Sequence, residues 1–134
     1  IAESEEAKKL TDGLREDLAK DEENLSQLGE DIQALRAKLE KDAEILGALE
    51  KRKIAKDIEE KTIDYEYELN KLQKASQDGL QEIYQEMAPK LDAVMKDLIE
   101  LEGYDVVFQR SGLLYVNTKH DITRKVTEKL NEKQ

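Results

Sequence analysis

The sequence holds one histidine, His120, and no cysteine. A Ser-His-Asp arrangement needs a histidine between a nucleophile and an acid, and zinc sites are built mainly from several His or Cys ligands. His120 sits beside Asp121 and reads as a solvated residue near a helix start. The absence of cysteine excludes thiol chemistry and disulfides. No glycine-rich phosphate loop is present, so nothing points to ATP. Carboxylates are abundant, with 32 Asp and Glu in 134 residues, and on acidic helix faces their pairing carries no information. The expectation is a protein that is not an enzyme and has no cofactor or metal.

Two other groups of side chains could bind something. Lys51, Arg52, Lys53 and Lys56 form the one concentrated positive patch. They could meet anionic lipid or an acidic partner, or simply form a solvated charge run. Ile45, Ile54, Ile63 and Tyr67 are apolar residues outside the simplest helical seam. Apolar side chains left over in this way mark a contact surface or a wider seam. Leu10, Ile83 and Ile99 are also off the seam and lie nearer the chain's ends.

The elements that position these residues are mostly helical. Forty per cent of the chain is charged and 4% aromatic, a composition suited to long helices with thin cores. Leu18, Leu25, Ile32, Leu39 and Leu46 recur every seven residues, with Leu14, Leu28, Leu35 and Leu49 as the second set. This is the seam of a coiled coil. Asp21 and Asp42 also fall on it, either wet or fixing register. A second seam runs Ile58, Tyr65, Leu69 and Leu72. It slips near Gly79 and resumes with Leu80, Tyr84, Met87, Leu91, Val94, Leu98 and Leu101. Pro89 removes a backbone donor, which predicts a kink near Met87–Ala88. Gly47 is the weak sign that two helices fold back rather than run on as one.

The stretch YDVVFQRSGLLYVN, residues 104–117, differs from everything before it. Its alternation predicts two strands, with a turn at Ser111-Gly112. A lone hairpin is marginal in water, and its open edges invite pairing. Tyr104, Val106, Val107, Phe108, Leu113, Leu114, Tyr115 and Val116 are therefore expected to hold copies of the chain together. Asp121 then reads as the cap of a short helix with Ile122, Val126 and Leu130 on one face.

The net charge is −10, and residues 1–50 carry 15 acids against 7 bases. Nucleic acid is an improbable partner for such a chain, because duplex affinity comes largely from neutralising phosphates. No apolar run approaches the length of a membrane span, and no signal peptide is visible.

GYDVVFQRSGLLYVNTKHDITRKVTEKLN, APKLDAVM and ESEEAKKL together resemble the Skp/OmpH family of periplasmic chaperones. The resemblance implies a mainly α fold with a small β body. Residues 3–101 would form a long antiparallel coiled-coil hairpin arm, turning within about 43–53. Residues 103–134 would form a β-hairpin and helix in the body of a jellyfish-like homotrimer. It also implies an ATP-independent holdase in the periplasm, binding unfolded outer-membrane β-barrel proteins in a cavity between arms. The family's first strand would end at about Ile1-Ala2-Glu3, so the body is expected to lack it. Better-known members have positive arms. The acidic charge here leaves contact with membrane or lipopolysaccharide plausible only at Lys51 to Lys56. Two other readings stay open: a structural coiled-coil tether, and a prefoldin-like cytosolic chaperone. The second normally places hairpins between its helices rather than after them.

Overall fold

A computed structural model describes residues 1–133. Its element order is α1 (Glu5–Lys41), α2 (Ala48–Glu102), two single-turn 3₁₀ segments (Arg110–Gly112 and Thr118–His120) and α3 (Thr123–Glu132). The chain divides into two compact units. Unit 1 is Ile1–Gly13 with Gly79–Gln134, and unit 2 is Leu14–Asp78.

In unit 1 the start of α1 is held by two side chains. Ser4 Oγ donates to the Ile1 carbonyl at 2.8 Å and accepts the Ala7 amide at 3.3 Å. Asn131, on α3, accepts the Glu5 amide through Oδ1 at 2.9 Å. The first amides of a helix have no intrahelical partner, so such acceptors stabilise the helix start. Glu5 and Glu6 add negative charge at the same end, where the helix dipole favours it. Glu6 also pairs with Lys90 of α2.

Ala7, Met87, Val94 and Leu130 form the buried cluster, and Ile1, Leu10, Ile83 and Val126 pack around it. Leu98 is buried as well. Three helical segments supply all of these residues but Ile1, which precedes α1. Leu10 and Ile83, off the heptad, thus belong to this core. α2 runs through Pro89 without a break in the helix. The missing amide leaves the Gln85 carbonyl without its helical partner. Gln85 is exposed, so water can serve that carbonyl.

Unit 2 contains the rest of α1 and the first half of α2. α1 stops at Lys41, and residues 42–47 form turns before Ala48 restarts the helix. The Ile45 and Leu46 amides both donate to the Asp42 carbonyl. So short a connection folds the two helices back on each other. Gly29 faces the ring of Tyr65, where a Cβ would lie 3.3 Å from Cε2. Burial is sparse. Leu25, Ile32 and Ile54 are buried, while Leu14, Leu18, Leu28, Leu35 and Leu39 are half-buried. Leu49, placed on the seam by its spacing, is exposed.

The largest departure from expectation is at residues 104–117. No strand forms among the described residues, so the β-hairpin and the β body are absent from this chain's fold. α2 ends at Glu102, and Gly103 follows with a φ of +69° that suits the left-handed position after a helix. Irregular backbone follows, extended at Gln109, and then a tight 3₁₀ turn. Gly112 donates to the Gln109 carbonyl at 3.1 Å, and Leu113 donates to Arg110 at 3.0 Å. A two-residue hairpin turn needs positive φ in its centre. Gly103 is the only described residue with positive φ, so Ser111 and Gly112 do not make such a turn. Two short strands with no third to pair with gain too little from one ladder to offset their ordering.

Candidate functional site

Two surfaces carry the candidate residues, one in each unit. In unit 2 the turn between helices exposes Ile45, at 83%, together with Leu49. Lys51, Arg52, Lys53 and Lys56 follow within the first three turns of α2. Arg52, Lys53 and Lys56 are exposed and Lys51 is half-buried. Lys56 lies 3.9 Å from Glu60, a weak surface pair. Further along α2, Ile63 and Tyr67 are one turn apart and 60% and 66% exposed. Ile54 does not belong with them. It is only 8% exposed, so its side chain is covered within the chain rather than presented to a partner. Spacing alone placed it outside the seam, but a helix pair often buries flanking positions as well as the strict heptad set.

A shallow groove of about 670 Å³ lies on the same unit, between the two helices. Leu25 and Leu28 line it from α1, and Tyr67 from α2. Sequence spacing did not point to this groove, since its walls come from residues some forty positions apart. The only signal was the off-seam Tyr67.

The second surface is the irregular segment of unit 1. Val106, Val107, Phe108, Leu113, Leu114 and Tyr115 are exposed, while Tyr104 and Val116 are half-buried. Part of this segment folds over a cavity of about 230 Å³, lined by Tyr104, Phe108 and Ile122 among others. His120 lies at its edge beside Asp121. Asp121 accepts from the Thr123 hydroxyl at 2.6 Å and from the Thr123 amide at 2.9 Å. It sits one residue ahead of the formal cap, Ile122, yet still serves the first helical amide. The Thr123 side-chain hydrogen bond, then the backbone one, hold the Asp121 carboxyl below its ordinary pKa, with Arg110 adding attraction. Arg110 reaches Asp121 at 3.4 Å, fastening the irregular segment to the start of α3.

Lys133 beside Asp97 lowers that carboxyl's pKa through a hydrogen bond and charge attraction, at 2.8 Å. This ties the end of α3 to α2. Among the described residues no group of His, Cys, Asp or Glu is arranged to hold a metal ion. No helix there is long and apolar enough to cross a membrane. What the two surfaces offer chemically is contact: exposed apolar side chains set among charges.

The sequence matches the family described as Outer membrane protein (OmpH-like) over residues 1–130. The chain belongs to the OmpH-like family. One similar protein of this kind is the Skp-like protein of Pseudomonas aeruginosa, 26% identical over 132 residues. That match covers 98% of this chain and 79% of the relative. Another is the Chaperone protein Skp of Vibrio cholerae serotype O1, 27% identical over 116 residues. It covers 81% of this chain and 69% of the relative. No solved structure matches the chain significantly. The OmpH-like match runs through both units, so both candidate surfaces lie within it.

Proposed function

We propose that this chain is an ATP-independent holdase chaperone of the periplasm, binding unfolded outer-membrane β-barrel proteins. The reading is carried by the exposure of Ile45, Ile63 and Tyr67 on the helical pair of an OmpH-like chain. An unfolded barrel offers alternating apolar side chains along its whole length. Many weak contacts with such a chain sum to firm holding, because each contact raises the local concentration for the next. Binding of this kind uses no covalent chemistry.

In this reading the active form is a homotrimer, assembled through Tyr104, Val106, Val107, Phe108, Leu113, Leu114, Tyr115 and Val116. The helical pairs of three copies enclose the client. The exposure of most of that segment in a single chain supports this. A contiguous apolar stretch left in water is a liability that assembly removes. In this reading any contact with anionic lipid or lipopolysaccharide is made at Lys51, Arg52, Lys53 and Lys56.

The test is dilution of a urea-unfolded barrel protein, without ATP, while light scattering is followed. The chain is expected to suppress aggregation. Replacing Ile45, Ile63 and Tyr67 by Glu together should weaken suppression by about tenfold or more, as when several contacts act as one. Sedimentation of the same variant should still give three times 15.4 kDa. Unchanged suppression would remove these residues from the surface. A stable dimer would overturn the trimer and favour a tether.

A further inference from the structure

Ile63 and Tyr67 form an apolar strip on α2 that no element of unit 2 covers. Tyr67 also lines the groove between α1 and α2, above Leu25 and Leu28. What surrounds this apolar floor is mostly of one sign. Asp21 and Asp31 border it from α1, Asp64 and Glu68 from α2, and Lys71 is the only cation there. Among the described residues, Asp31 accepts from Gln27 at 3.0 Å, and none of the four carboxylates has an ion-pair partner. The unit as a whole leans the same way, with 18 acids against 12 bases in residues 14–78.

We propose that this groove docks polypeptide segments that carry Lys or Arg next to apolar side chains. This deepens the chaperone reading and rests on it. The charge complementarity chooses the occupant. The apolar part of a client segment lies against Leu28 and Tyr67, while its cation meets the four carboxylates. A guanidinium or ammonium over the Tyr67 ring gains a further attraction, since the ring face is negative. An acidic segment of equal hydrophobicity meets like charge and is repelled. The groove thus sorts segments of one unfolded client by the sign of their charge.

The test uses the whole chain and two fluorescent peptides. Both carry the same apolar residues, one with Lys and Arg at its charged positions and the other with Asp and Glu. Anisotropy should show the cationic peptide binding about tenfold tighter at low salt, a contrast typical of complementary fields. The contrast should shrink between about 0.01 M and 0.15 M salt, as the screening length falls from about 30 Å to about 8 Å. Asp21→Asn, Asp31→Asn, Asp64→Asn and Glu68→Gln together should abolish most of it. A control variant removes the same charge elsewhere in unit 2, by Glu16→Gln, Glu40→Gln, Glu44→Gln and Glu50→Gln, and should keep it. Circular dichroism confirms that both variants are helical.

Equal loss in both variants, or no preference in the parent chain, overturns the groove. Aggregation suppression is read on the same preparations. A parent chain that holds barrels without discriminating the peptides refutes the groove alone. One that holds no barrel refutes the chaperone reading, and the peptide contrast then judges the groove separately.

Discussion

The surroundings of Met87 and of Leu25 are built from the same residue types on the same two helices, yet only one closes into a core. Around Met87 a third helix is available. α3 brings Leu130 and Val126 against α2, and the start of α1 adds Ala7, so Met87 and Val94 are fully enclosed. Around Leu25 there are only two helices. Each covers one flank of the other, and the remaining sides are left to the aliphatic stems of Lys and Glu or to water. The same heptad pattern therefore gives a firm core in unit 1 and a soft pair in unit 2.

The sharpest way to break this contrast is to empty one side chain in each place. Met87→Ala should cost about 2–5 kcal/mol, because the enclosed cavity cannot collapse. Leu25→Ala should fall at the low end of that range, about 2 kcal/mol, since one wall is open and can close in or take up water. Urea unfolding measures both. Equal losses would mean that unit 2 is packed as tightly as unit 1.

A smaller effect compares two glycines inside α1. A Cβ at Gly13, in unit 1, meets nothing within 4 Å. Gly13→Ala should therefore raise stability by about 0.5–1 kcal/mol through helix propensity alone. At Gly29 the new Cβ presses on Tyr65 at 3.3 Å, so the gain should be reduced or reversed. Thermal melts decide it. An equal gain at Gly29 would show that the Tyr65 ring gives way freely.

The smallest expected effect is a pH dependence confined to the start of α3. The Asp121 carboxyl lies below its ordinary pKa because Thr123 donates to it twice, from side chain and backbone. Its stabilisation is therefore complete above the unfolded carboxyl's pKa, near 3.9, and is lost as pH falls through the lower folded value. Asp121→Asn keeps an acceptor for the Thr123 amide but does not titrate. Acid unfolding followed by a probe on α3 should be less pH-dependent in that variant. An identical acid profile would show that Asp121 contributes nothing to it.

Much of this was legible in residue spacing. Heptads at Leu25 and Ile32, and again at Met87, Val94 and Leu98, mark residues that are buried. Asp121 before Ile122-Thr123 announced the short helix, because a carboxylate there has only a few amides to bind. Other features were not legible. The Asn131 cap on Glu5 joins residues 126 apart, which no local pattern encodes. Ile54 is buried although strict periodicity put it outside the seam, because period alone does not report what covers a flanking position. The hairpin at 104–117 was misjudged because alternation reports only that a segment suits a strand. Whether it becomes one depends on a partner for the ladder.

The amino-acid sequence by itself determined that the chain is mostly long helix and strongly acidic. Those properties follow from composition and period, which are local. Only the tertiary structure decided which seam positions close into a core, which apolar side chains stay in water, and that Tyr67 stands among four carboxylates from two helices. These depend on how many elements meet at one place, and that number is set by folding rather than by any single stretch of sequence.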